Sequence, residues 1–265
     1  MRVVRTVAEA REALPGEGIG LVPTMGALHA GHVALLRAAR GENKTLVMSI
    51  FVNPTQFGPN EDYEEYPRDE ERDLEVAEAE GVDFVFTPSV AEMYPDGFET
   101  WVEVERMSEP MEGAARPGHF RGVATDCLKL FNIVRPERAY FGQKDAQQAA
   151  LVEQLVHDLN VPVEIRLVAT VRDDDGLALS SRNAQLSAEE RTAAAALPRA
   201  LAAGRDAFTA GDDPVATTRT VLSAEPRLDV DYVETARFNG RVHLLAAVRA
   251  GTTRLIDNVL LEGSL

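Results

Sequence analysis

Apolar residues fall along the chain in short runs divided by stretches of helical spacing. Residues 7–14 read as a short helix ended by Pro15-Gly16, and the apolar run 19–22 stops at Pro23. A small-residue turn leads into Val33-Ala34-Leu35-Leu36-Arg37-Ala38-Ala39, the body of a helix. The continuous apolar run 45–52 is typical of a buried parallel strand. A loop rich in turn residues follows over 53–60. The acidic stretch 61–80 predicts a helix with Leu74, Val76 and Ala77 on its inner side and Gly81 at its end. Residues 82–86 predict the next strand, stopped by Thr87-Pro88. The order β-α-β-α-β implies a parallel sheet with right-handed crossovers.

Residues 89–121 lack a long helical period and read as an irregular insertion with a short strand over 100–104. It closes on Arg116-Pro117-Gly118-His119-Phe120-Arg121-Gly122, the densest basic loop of the chain. Then come a helix over 123–134, a strand over 138–141, a helix over 146–159 and a strand over 163–170. After residue 170 the composition shifts. Ser187 and Glu190 make a capping box before an Ala-rich helix over 190–210. A helix over 214–224 and strands over 230–236 and 253–261 complete a smaller α+β domain. The predicted fold class is α/β, with a parallel-sheet domain over 1–170 and the smaller domain over 171–265. A cleft is expected between them.

Composition narrows the class. With 265 residues, 45% hydrophobic and 26% charged, the chain is globular rather than disordered. No apolar stretch approaches the roughly 20 residues of a membrane span. There is no hydrophobic leader, so a cytoplasmic location is expected, with no membrane partner. The single cysteine, Cys127, excludes an intrachain disulfide and a Cys-based metal cage. A net charge of −16 argues against a nucleic-acid surface, and it makes basic residues in loops informative.

The stretch 21–32 is the chemical focus. Positions i and i+3 share a helix face, so His29 and His32 would point together from a first helical turn. A helix N-terminus suits phosphate, and Gly26 and Gly31 leave room for close approach. Two imidazoles there could stabilise charge developing on a transferring phosphoryl group. The same pattern also fits an ordinary βα turn with histidine caps. Lys144, Ser180, Ser181 and Arg182 follow other predicted strands and suit a nucleoside triphosphate. Each has a plainer reading too: Lys144 as a solvated lysine, Asp145 and Gln148 as a helix cap, Ser180-Ser181 as a turn.

Pro23-Thr24-Met25-Gly26-Ala27-Leu28-His29-Ala30-Gly31-His32 resembles the signature of the pantothenate synthetase (pantoate–β-alanine ligase) family, relatives of the HIGH-motif nucleotidyltransferases. Phe51-Val52-Asn53-Pro54-Thr55-Gln56-Phe57, Tyr66-Pro67-Arg68, Phe141-Gly142-Gln143-Lys144-Asp145-Ala146-Gln147-Gln148 and Asp175-Gly176-Leu177-Ala178-Leu179-Ser180-Ser181-Arg182-Asn183 resemble further family blocks, in the family's order. The resemblance implies a Rossmann-like N-terminal domain that binds nucleotide and pantoate, a C-terminal lid domain, and a homodimer. It implies ligation of pantoate and β-alanine through pantoyl adenylate, with release of pyrophosphate and AMP.

By that resemblance, His29, His32, Lys144, Ser180, Ser181 and Arg182 are catalytic. Met25, Gln56 and Gln148 hold pantoate. Pro23, Thr24, Gly26, Gly31, Gly142, Gln143, Asp145, Val171 and Leu179 join Met25 and the catalytic residues around ATP. Asp73 matches a position associated with Mg²⁺, although it lies among acids that equally suit a solvated helix face. Two departures stand out: Leu179 replaces a common methionine, and Arg72 replaces a frequent acidic neighbour of Asp73. The competing reading is a nucleotidyltransferase acting on a phosphorylated small molecule. A nucleotide-binding module without catalysis is a third. The paired glutamines and the Ser-Ser-Arg block favour the ligase.

Overall fold

A computed structural model describes residues 1–59 and 61–265; Asn60, the last residue of the loop expected over 53–60, lies outside the described residues. The chain forms two compact units. The first comprises Met1–Phe141 and Gln147–Val168, the second Gly142–Ala146 and Ala169–Leu265.

The first unit is built in chain order from β1 (Arg2–Val4), α1 (Val7–Ala13), β2 (Ile19–Thr24), α2 (Ala30–Glu42) and β3 (Thr45–Ile50). Then come α3 (Glu70–Ala79), β4 (Phe84–Phe86), α4 (Val90–Met93), α5 (Glu112–Ala115), α6 (His119–Val134), β5 (Arg138–Gly142), α7 (Ala146–Asp158) and β6 (Glu164–Val168). The sheet runs β1-β4-β3-β2-β5-β6, with β1, β4, β3, β2 and β5 paired in parallel. Both faces are covered, which explains the unbroken apolar runs. Ile19, Leu21 and Val47 point into a core with α1, α6 and α7. Val22, Leu46 and Met48 point the other way, onto Leu35, Leu36 and Ala39 of α2 and Ala77 of α3.

β2 continues through Pro23, one residue past the expected stop. Its register with β5 is confined to Gly20 and Leu21, so the N–H that proline lacks is not needed there. β1 is too short to show a period in the sequence. The acidic helix starts at Glu70, not at 61, because Asp69 caps it by accepting the Arg72 N–H. Upstream, the Arg68 guanidinium donates to the carbonyls of Tyr63, Glu64 and Tyr66 and holds a non-helical path.

No strand forms over 100–104. Val102 N–H donates to Thr125 Oγ1 of α6 instead of to a neighbouring strand. Trp101 stacks on Tyr94 with the Arg121 guanidinium over its ring. α6 begins at His119, so half of the expected basic loop is helical.

The second unit contains α8 (Ala188–Ala194), α9 (Ala196–Ala210), α10 (Pro214–Ser223), β7 (Leu228–Phe238), β8 (Arg241–Ala250) and β9 (Thr253–Glu262). The three strands form an antiparallel sheet in sequential order. The single helix expected over 190–210 is two helices meeting at Ala195, since Pro198 has no N–H to continue the ladder. β8 is absent from the sequence expectation, although Asn239-Gly240 is a strong hairpin signal and both residues adopt positive φ. The core is alanine-rich, with Ala193, Ala200, Leu197 and Leu201 packed on Leu244, Ala246 and Val248. Among the described residues no helix is long and apolar enough to cross a membrane.

Candidate active site

The turn between β2 and α2 is held in an uncommon backbone conformation. Gly26 has φ +83° and Ala27 has φ +50°, the left-handed region that costs a non-glycine residue about 1 kcal/mol or more. A Cβ on Gly26 would lie 2.7 Å from Asp73 Oδ2 and 3.1 Å from Ile50. The Asp73 carboxylate fixes the turn, accepting the N–H of Ala27 and that of Leu28, each at 2.8 Å. Thr24 adds a brace: its hydroxyl donates to Ser49 O at 2.6 Å and accepts the Gly26 N–H at 3.2 Å.

The two histidines cap α2 reciprocally. His29 Nδ1 accepts the Gly31 N–H at 3.1 Å, and His32 Nδ1 accepts the His29 N–H at 3.3 Å. The rings lie 4.1 Å apart, tilted by 39°. A neutral imidazole that accepts at Nδ1 carries its proton at Nε2. Both rings are therefore set as Nε2–H donors. The sequence placed the anion-binding capacity partly in bare amides of the helix terminus. That part needs correction, because the Gly31 N–H goes to His29 Nδ1 and the His32 N–H to His29 O.

Met25, in the same turn, receives the Gln56 amide, with Nε2 3.3 Å from Sδ. Gln56 Oε1 accepts from the buried Asn53, which also reaches Gly122 O of α6. Gly122 must be glycine, because a Cβ there would collide with the Thr55 carbonyl. The Gln56 carbonyl accepts from His119 Nδ1 at 2.9 Å, so His119 Nε2 accepts from Arg116 at 3.1 Å. Burial, with the Arg116 charge adding to it, pushes His119 down to about 4 and keeps it neutral. Burial pushes the Glu61 carboxyl up, but its bidentate pair with Arg116 outweighs that and holds it below its ordinary value.

In the second unit Lys144 sits in a short turn, with its Nζ 3.4 Å from Asp145 Oδ1. Ser180 opens another short helical turn, its hydroxyl accepting the Arg182 N–H at 3.3 Å. A hairpin precedes it, closed by the Leu179 N–H on Val171 O at 3.0 Å. Its Arg172 pairs with the buried Asp257 at 2.6 and 3.0 Å.

A family model described as pantoate-beta-alanine ligase matches residues 2–260. The chain belongs to the pantoate–β-alanine ligase family. It is 52% identical to a pantothenate synthetase of Moorella thermoacetica, over 99% of both chains. The crystal structure of the pantothenate synthetase of Thermus thermophilus superposes with a TM-score of 0.96, at 48% identity, over 99% of this chain and 100% of that one. The ligase of Francisella tularensis, complexed with β-γ ATP and β-alanine, is 35% identical with a TM-score of 0.82, over 100% and 99% of the two chains.

Within this ligase chain, Pro23, Thr24, Met25, Gly26, His29, Gly31, His32 and Gln56 fall in the first unit, on or against one turn. Gln148 is half-buried on α7; its neighbour Gln147 is the buried one, bonded to Glu112, Met107 and Pro110. Gly142, Gln143, Lys144, Asp145, Val171, Leu179, Ser180, Ser181 and Arg182 fall in the second unit.

Asp73 is neither on a solvated face nor arranged as a metal ligand. It is 1% exposed and each carboxylate oxygen holds a backbone N–H. The described residues contain no group of three or more His, Cys, Asp or Glu that could hold a metal. These residues do not fit a protein-held Mg²⁺. Asn53 and His119 lay in stretches the sequence singled out but were given no bracing role there, and Glu61 and the Asp257-Asn258 pair were missed. Of the two missed, only the Asp257-Asn258 pair left a signal, two polar residues interrupting the apolar run of β9.

Proposed function

We propose that the chain joins pantoate to β-alanine in two steps. A pantoate carboxylate oxygen attacks the α-phosphorus of ATP, the bond to pyrophosphate breaks, and pantoyl adenylate forms. The β-alanine amine then attacks the acyl carbon. An amide bond forms, the acyl–phosphate C–O bond breaks, AMP leaves and the nitrogen gives up a proton. The reciprocal histidine cap carries this reading, because it fixes two N–H donors before substrate arrives, as charge stabilisation during phosphoryl transfer requires.

Gln56, held by Asn53 and His119 against Met25, orients the pantoate carboxylate with neutral donors, and Gln148 joins it. Lys144, Ser180, Ser181 and Arg182 receive phosphate oxygens. Gly142, Gln143, Asp145, Val171 and Leu179 border the nucleotide. Mg²⁺ belongs to the substrate, travelling with the ATP phosphates. No covalent enzyme intermediate is needed, because adenylation itself makes the carboxylate oxygen a leaving group, and Cys127 is no nucleophile, being buried in the core with its thiol pushed well up. Family membership supports a homodimer acting in the cytoplasm.

Product assays with each substrate omitted in turn test this reading. Pantothenate and AMP should accumulate only when ATP, pantoate and β-alanine are all present. Steady-state AMP formation that ignores β-alanine would overturn it.

A further inference from the structure

The turn that carries Lys144 is held by a side chain 114 residues further on. Asn258 Nδ2 donates to Gln143 O at 2.8 Å and to Lys144 O at 2.9 Å. Those two bonds use the whole donor capacity of a carboxamide. A backbone carbonyl only accepts, so the amide nitrogen must face the turn and Oδ1 must face away. There Oδ1 meets His243 Nδ1 at 3.3 Å, which therefore donates. Asn258 and His243 are both buried, at 2% and 3% exposure, so water does not substitute for either bond.

The preceding residue grips the other phosphate arm. Asp257 pairs with Arg172 and also accepts the Asn258 N–H at 2.8 Å. Arg172 lies in the hairpin whose last backbone bond, at Leu179, comes directly before Ser180-Ser181-Arg182. β9 thus packs against both the turn of Lys144 and the turn of Arg182.

We infer that Asn258, oriented by His243, is a positioning residue for Lys144, and that Asp257-Asn258 fixes Lys144 relative to the Ser180-Ser181-Arg182 arm. This rests on the reading of Lys144 as a phosphate-binding group. An ammonium on a flexible stem is useful only where its backbone is fixed, and a displacement near 1 Å can cost about 10²-fold in rate.

A double-mutant cycle on the full chain tests it, with single-turnover pyrophosphate release from ATP and pantoate as readout. Asn258→Ala should slow release about 10–100-fold while leaving the KM for pantoate within about twofold. In a Lys144→Ala background the same substitution should slow release less than about twofold, since the group it positions is gone. Asn258→Asp should be as slow as Asn258→Ala, because an ionised carboxylate cannot donate to carbonyls. His243→Leu should be slow, and His243→Asn, which keeps a donor, should recover most of the rate.

Native release in Asn258→Ala and Asn258→Asp would overturn the inference, as would equal effects of Asn258→Ala in both backgrounds. Native release in Lys144→Ala would instead overturn the role of Lys144 itself, and the inference with it. If Asn258→Ala fails to fold, the two His243 variants decide between the outcomes.

Discussion

The histidine turn and the Ser180–Arg182 arm each take their shape from a buried aspartate far away in sequence, yet the two aspartates work differently. Asp73 lies 46 residues from Ala27 and bonds to the neutral backbone N–H groups of Ala27 and Leu28. Asp257 lies 85 residues from Arg172 and pairs with a guanidinium. Bonds to the backbone fix dihedral angles, which the left-handed Gly26 and Ala27 demand. A bidentate ion pair instead fixes where a hairpin lies while leaving its own turn to local bonds. A strained turn and a placed arm therefore need different anchors, even where the acid is the same residue type.

Asp73→Ala should have the largest effect on stability. It leaves two N–H groups without partners, one of them buried, at about 1–3 kcal/mol each. We expect about 2–4 kcal/mol lower stability in urea unfolding, together with slowed pyrophosphate release. Native release from a destabilised variant would mean that the histidine turn keeps its shape without Asp73.

A third buried acid sharpens the contrast with a smaller effect. Among the described residues Asp126 on α6 finds neither kind of anchor, and its Oδ1 lacks a hydrogen-bond partner. Burial pushes its carboxyl up to about 7, with Lys129 only partly opposing. Tyr94 and Cys127 are the other titratable groups near it. An acid whose folded pKa lies above its unfolded value contributes stability in full below the unfolded value of about 3.9 and loses it as pH rises through about 7. Asp126→Asn should flatten the stability profile between about pH 4 and about pH 7 and be more stable than the parent above that range by on the order of 1–2 kcal/mol. Identical pH profiles for the two proteins would show that Asp126 ionises without cost.

Most of the sheet was legible because a doubly covered strand is apolar at every position, as in β2 and β3. The acidic helix was overextended because its charge pattern hid the Arg68 guanidinium that turns the chain before Asp69. The histidine pair was legible as spacing, but its tautomers were not, since these follow from bonds that close only when α2 is capped. Asp73 looked like one acid among many until its burial separated it from Glu70 and Glu71. Arg116 and His119 showed as a basic loop, whereas their task is internal, one bracing the other against Gln56. The residues proposed to meet ligands thus left motifs, and the residues that brace them left few.

Single-turnover pyrophosphate release in His29→Ala and His32→Ala, with ATP and pantoate saturating, tests the pre-set histidine pair most directly. Each substitution should slow release about 10²–10³-fold, the loss expected for one charge-stabilising donor. Release at the native rate from either variant would contradict the account.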